Sequence, residues 1–267
     1  MSSAKWVIED NQYLVSTFNL KGNIMKKLIL AAAVAGVFMG GVAHAQEAAP
    51  EHSFTGNVSV VTDYRFRGIS QTFKQPAVQG GFDYEHSSGF YVGNWNSNVS
   101  DAVFPGGNVE MDLYGGYKFN VTPDFGMDVG VLRYYYPGTD VSANTTEVYV
   151  SGSYKWFSAK YSHTVTDFFG LDDTKGSGYL ELGADFEVAD KTTLGFHVGH
   201  QKVRHNGDLD YTDYKVSLER DFGFATIGLA VIGTNADESL YTYTNTAGTK
   251  TKDLSGTAAV LSISKSF

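Results

Sequence analysis

Histidines, carboxylates and hydroxyls are the side chains of this sequence with chemistry to offer, and most fall in patterns that catalysis cannot use. His197 and His200 resemble a metal pair, but three positions apart on an extended chain they point to opposite faces. A hydrolase on the outer wall would need a Ser, a His and an orienting group. His163 and His200 map there, near one rim, yet no Ser beside them can be assigned, and a rim His is ordinarily an interfacial side chain. The acidic run Asp208-Leu209-Asp210-Tyr211-Thr212-Asp213 would bind calcium only weakly, because it lacks the spacing of a dedicated loop, and it reads as a solvated tip. The sequence has no phosphate-cradling Gly-Lys-Ser/Thr and no Cys, which removes disulfide scaffolds, thiolate catalysis and Cys-ligated metals. The expectation is no catalytic residue, no metal and no cofactor.

What remains is a large set of charges spaced by two. From Phe54, the residues Gly56, Val58, Val60, Thr62, Tyr64 and Phe66 alternate with Asn57, Ser59, Val61, Asp63, Arg65 and Arg67, one face greasy and the other wet. Val109 to Phe119, Val148 to Trp156 and Leu180 to Val188 repeat the pattern. A soluble sandwich alternates too, so the connections must decide. Short links at 86–89, 120–124, 156–157, 189–191 and 221–223 alternate strictly with long ones at 68–75, 99–107, 137–145, 166–177, 203–209 and 234–256. That is the arrangement of an outer-membrane barrel. The sequence therefore predicts an all-β, antiparallel up-and-down transmembrane β-barrel of about 12 strands, with both termini periplasmic.

On such strands the wet face points inward. It carries Asp63, Arg65, Arg67, Asp83, Glu110 and Asp112, then Asp128, Glu147, Glu181, Asp185, Asp213 and Lys215 as the expected pore-lining residues. With Glu85, Lys118, Lys155, Lys160, Glu187 and Glu219 the inward set holds 12 acids and 6 bases. Carboxylate rings in a water-filled lumen select cations. The alternative is an interior plugged by salt bridges, with Arg65 and Arg67 paired to acids on nearby walls. Tyr134 and Tyr136 are expected inside near the outer end, with Arg133 and Tyr135 facing lipid headgroups. A stacking platform for solutes and an aromatic girdle are both open readings of these tyrosines. Trp95, on one face with Tyr91 and Gly93, is assigned to the wall. The last outside loop, with Asp237, Glu238, Tyr241, Tyr243 and Asp253, either folds inward as a constriction or extends two strands outward; the alternation from Leu240 to Thr244 favours extension.

The chain ends agree. Lys26 and Lys27 precede a 15-residue apolar run, Leu28 to Val42, followed by Ala43-His44-Ala45: a secretory signal peptide over 25–45, too short to span a membrane as a helix. Residues 1–24 read as an upstream extension from a misassigned start, 46–52 as a short periplasmic segment, and 53–267 as the barrel. Removing 1–45 takes four Lys and two acids and leaves 16 bases against 27 acids, a net charge of −11. That balance argues against nucleic acid. The 30 Gly, 17 Tyr and 18 Phe suit barrel walls and interface girdles. Ala259, Leu261, Ile263 and Phe267 line one face of a final strand; Lys265 interrupts that face where it can snorkel to water at the rim. An aromatic end of this kind implies the barrel-assembly machinery and outer-membrane lipid as partners.

Several segments resemble a known family. Val60-Val61-Thr62-Asp63-Tyr64-Arg65-Phe66-Arg67-Gly68-Ile69-Ser70-Gln71, Pro76-Ala77-Val78-Gln79-Gly80-Gly81-Phe82-Asp83-Tyr84 and Gly89-Phe90-Tyr91-Val92-Gly93-Asn94-Trp95-Asn96-Ser97-Asn98-Val99 are similar to the TorF-type porin family, a bacterial domain of unknown function also called Gcw_chp. Glu110-Met111-Asp112-Leu113-Tyr114-Gly115-Gly116-Tyr117 and Tyr134-Tyr135-Tyr136-Pro137 continue the likeness, which thins after about Thr166. The resemblance implies an exported barrel with a pore, and offers no substrate or catalytic residue to carry over. The expected function is passive passage of small hydrophilic solutes or cations. A closed barrel with a structural, surface-binding or adhesive role is the alternative, and an outer-membrane acyl hydrolase the third.

Overall fold

The computed structural model describes residues 50–267. The expected signal peptide, the extension before it and residues 46–49 lie outside the described residues.

Alternating sequence becomes alternating exposure because strand side chains switch faces at every residue. Sixteen strands form among the described residues: β1 (His52–Val61), β2 (Arg65–Phe66), β3 (Ile69–Ser70), β4 (Ala77–His86), β5 (Phe90–Asn98), β6 (Val109–Thr122), β7 (Phe125–Tyr135), β8 (Thr145–Tyr154), β9 (Phe157–Thr164), β10 (Gly178–Ala189), β11 (Thr192–Lys202), β12 (Tyr211–Asp221), β13 (Thr226–Thr234), β14 (Thr242–Thr244), β15 (Thr251–Asp253) and β16 (Ala258–Ser266). Twelve of them close into one antiparallel barrel, each pairing with its sequence neighbour and β1 closing on β16. The other four make two small hairpins, β2-β3 and β14-β15, within long connections. Short and long connections alternate as expected. Closure leaves the barrel without an open edge strand, so the backbone polar groups of its wall pair along the ladders rather than with water, save at two register shifts and at the strand ends.

The seam is sealed at the chain end. Gly56 and Phe267 exchange both backbone hydrogen bonds, at 2.8 and 2.9 Å. A Cβ at Gly56 would stand 2.6 Å from the Phe267 ring, so any side chain there would have to displace that exposed ring. Lys265 reaches the rim as expected and donates from Nζ to the Gly223 carbonyl at 2.7 Å.

The outward residues form an apolar band: Val58, Val92, Val131, Val150, Leu180, Val216, Leu229 and Ile263 are all exposed. At the short-turn end it is rimmed by Phe54, Phe90, Trp156, Phe186, Phe222 and Phe224, an interfacial girdle. Such a band on a closed barrel is soluble only in lipid.

Three expectations are corrected. The first strand was expected to run through Arg67, but β1 ends at Val61, and Tyr64 and Phe66, read as lipid-facing, are buried inside the barrel. The wet-greasy alternation continues past Val61, but there it is the alternation of a separate hairpin. Trp95, read as wall, points inward with Tyr91, because the aromatic face of β5 is its inner one and Phe90 and Val92 face out. Lys155 occupies a turn with φ +55, so it does not belong to the inner face, whereas Glu187 keeps the register of Asp185, opposite Thr193, and is exposed at the short-turn end.

Candidate functional site

The site is the barrel interior, and its main feature is residues 62–75. After Val61 the chain turns inward instead of out. Arg67 (φ +43) and Gly68 (φ +85) form a two-residue turn with both φ positive, the hairpin connection whose twist matches its strands, and β2 and β3 flank it. Gly68 suits that backbone, and a Cβ there would press on Asp213 Cβ at 3.0 Å. The hairpin is thus the expected first outside loop folded into the lumen.

Apolar packing holds it. Phe66 meets Tyr134 and Phe169 edge-on at 5.7 Å each, and Tyr64 lies 5.4 Å from Trp95. All six long connections contribute: Phe66 and Ile69, Phe104, Tyr136, Phe168 and Phe169, Val203, and Tyr241 with Leu254 belong to one buried cluster. At roughly 1.5–3 kcal/mol per fully buried large apolar side chain, the hairpin's share alone is several kcal/mol. The last loop contributes on both counts considered above. Its β14-β15 hairpin extends as two strands, while Tyr241 tucks in and donates to the Leu209 carbonyl at 3.0 Å.

Polar groups then fix the orientation. Asp63 accepts from Arg65 Nε at 2.8 Å and Ser70 Oγ at 2.6 Å, and Arg65 donates onward to the carbonyls of Gly68 and Gly256. Arg67 spans to the far walls. It donates to Glu147 on β8 at 2.9 Å and to Gln201 on β11 at 2.6 Å, and its guanidinium lies 4.1 Å over the Tyr179 ring. Tyr64 donates to Glu110 at 3.2 Å, and Asp112 is buried one turn of the pleat below. So the expected charges Asp63, Arg65, Arg67, Glu110, Asp112 and Glu147 are gathered at the loop end around the hairpin.

Asp213 also borders the hairpin, at Gly68, and the remaining inner charges line two sides of the wall that are linked through Tyr149, whose ring lies 5.0 Å from Lys160 Nζ. On the β4–β7 side, Asp83 accepts from Tyr114 at 2.5 Å, Asp128 accepts from Tyr91 at 2.8 Å, and Lys118 lies 4.4 Å over the Tyr91 ring. The hydroxyls of Tyr91 and Tyr149 touch across the lumen. On the β9–β12 side, Asp213 accepts from Tyr179 at 2.8 Å and pairs with His197, also at 2.8 Å, while Glu181 stands 3.6 Å from Lys160. Lys215 is surrounded by Glu219, Asp185, Glu181 and Asp213. Asp83, Asp128 and Asp185 are only partly buried.

His197 faces in and His200 faces out, as the strand period requires; the partner of His200 is Thr212 at 3.0 Å, and that of His163 is Tyr161 at 3.4 Å. Neither rim His has a Ser among its hydrogen-bond partners. The acidic run is dispersed, with Asp210 accepting from the Val203 amide and Asp213 inside. Tyr134 and Tyr136 face in and Tyr135 out, as expected. Sequence reasoning missed Tyr64, Phe66 and Gln201 as interior groups, whereas Tyr179 lies inside as its place on the face of Glu181 and Asp185 implies. No local signal marks the first two, because Arg67-Gly68 is not among the residue pairs that favour a two-residue hairpin turn.

A closed antiparallel barrel with an apolar outer band and a charged inner face defines a bacterial outer-membrane protein of the porin fold. Among solved structures it is similar to the KdgM porin, with TM-score 0.51 and 11% identity, covering 80% of this chain and 99% of that one. It is similar also to the KdgM porin in complex with disordered oligogalacturonate, with TM-score 0.50 and 10% identity over 80% and 99% of the two chains. Identities this low speak for the fold alone. No curated protein matches the sequence. The chain belongs to the Gcw_chp family, described as a bacterial protein of unknown function, whose pattern matches residues 45–267.

Proposed function

We propose that this barrel is a porin-like channel for passive passage of small hydrophilic solutes or cations, oriented with both termini in the periplasm, and that residues 62–75 are its constriction. The observation that carries the reading is the division of the interior. Partly buried Asp83, Asp128 and Asp185 leave a wet, acidic short-turn half, whereas the loop half is narrowed by a hairpin that belongs to no barrel strand. About 12 strands lie between barrels that side chains fill and barrels that hold an aqueous channel. A separate inward segment can then regulate what the wall leaves open. The excess of inner carboxylates favours cations, since a narrow low-dielectric passage strengthens their field.

The dense packing of the loop half favours a second reading, a closed barrel acting through its outer loops. Swelling of liposomes carrying the purified protein, in sugars of graded size, separates the two. Entry with a sharp size cut-off supports the channel; impermeability to the smallest sugar and to ions supports the closed barrel. Ester turnover by the same preparation would restore the hydrolase reading.

A further inference from the structure

We propose that Glu51, His52 and His86 form a binding site for a divalent transition-metal ion at the barrel rim that carries the chain end and the short turns. Barrel pairing creates the site: His52 on β1 stands directly opposite His86 on β4, with ring centroids 5.3 Å apart. Glu51, the residue before β1, brings its carboxylate to 3.6 Å from His86 Nε2. One ligand atom from each of the three lies within 4.8 Å of the others. Metal–ligand bonds of about 2.0–2.2 Å in a tetrahedral site need donors roughly 3.4 Å apart, so side-chain rotation alone closes the gap.

The surroundings favour a metal over a chance cluster. His52 Nδ1 faces the Tyr84 hydroxyl at 2.9 Å, and His86 Nδ1 faces Ser88 Oγ at 2.7 Å. With Nδ1–H donating to Tyr84, His52 presents Nε2 as the lone-pair donor, the supporting arrangement metal-binding histidines use. His86 Nδ1 instead accepts from the Ser88 amide at 3.1 Å, so an ion bound at its Nε2 must displace the proton there and that hydrogen bond must give way. The 10 paired positions of β1 and β4 fix the two backbones opposite one another, so only side-chain rotation remains for the ion to order. Two imidazoles and a carboxylate suit zinc, copper(II) or nickel, and disfavour calcium and magnesium, which take oxygen donors. The fourth position stays open to water, and Glu51 and His52 are exposed, so the site suits exchangeable capture. The two histidines are 34 positions apart, which is why no sequence spacing reveals them.

The test is zinc titration calorimetry on protein extracted from outer membranes without a polyhistidine tag. One Zn²⁺ per barrel is expected, with His52→Ala and His86→Ala each weakening binding roughly tenfold or more and Tyr84→Phe weakening it less. Absence of saturable binding in the native barrel, or unchanged binding in the double His variant, overturns the proposal. Copper(II) bound to the native barrel gives a reading independent of variant folding: electron paramagnetic resonance should show coupling to two imidazole nitrogens, and oxygen-only coordination overturns the site.

Discussion

Arg67 and Glu147 lie 80 positions apart and meet at 2.9 Å inside the barrel, both nearly fully buried. One belongs to a hairpin held by no barrel strand and the other to the wall, so this pair is the charged fastening between the inward segment and the lumen.

The first prediction follows from removing one partner. Arg67→Ala leaves Glu147 buried without its guanidinium partner, beside the Tyr134 hydroxyl, which donates to it at 3.4 Å. Breaking a buried pair in this way costs about 3–5 kcal/mol. The barrel ladder does not involve Arg67, so the cost falls on docking of the hairpin and shifts its equilibrium toward the undocked state by roughly a hundredfold or more. Single-channel recordings should show larger or longer openings than the native protein. Glu147→Gln keeps an acceptor and should have a smaller effect. Unchanged openings in Arg67→Ala would show that residues 62–75 do not limit the path.

Much of this was legible in the sequence, and the limit has a physical cause. Strand pairing depends on a two-residue period and on turn length, both local, so the 12-strand closure and the inward faces of Glu110, Asp112, Glu147, Asp213 and Lys215 could be read directly. The hairpin could not. Tyr64 and Phe66 alternate with Asp63 and Arg65 as a lipid-facing strand would, and only contacts with Trp95, Tyr134 and Phe169, distant in sequence, reverse the sense of inside and outside. For the same reason the partners of Arg67 on β8 and β11 were out of reach.

Orientation gives the second prediction. Tags inserted at Gly106, Thr139, Asp173 or Ala247, all in long connections, should be reachable by antibody on intact cells. Tags at Ser88 or Pro123, in short turns, should become reachable only after the outer membrane is breached. Labelling at Pro123 on intact cells would invert the barrel.

Export gives the third. The membrane-embedded protein should begin at or near Gln46, after cleavage behind Ala43-His44-Ala45. N-terminal sequencing or intact-mass analysis reads this directly, and a mature form retaining residues 1–24 would refute the leader assignment.

Conduction in a planar bilayer under a salt gradient tests the central claim most directly, because it asks whether the inner charges act on permeating ions. Purified barrels should pass current, with a reversal potential of cation-favouring sign, and Glu110→Asn with Asp112→Asn should reduce that preference by removing two carboxylates beside the constriction. Folded barrels that carry no current at any voltage, or an anion-favouring reversal potential, would contradict the account.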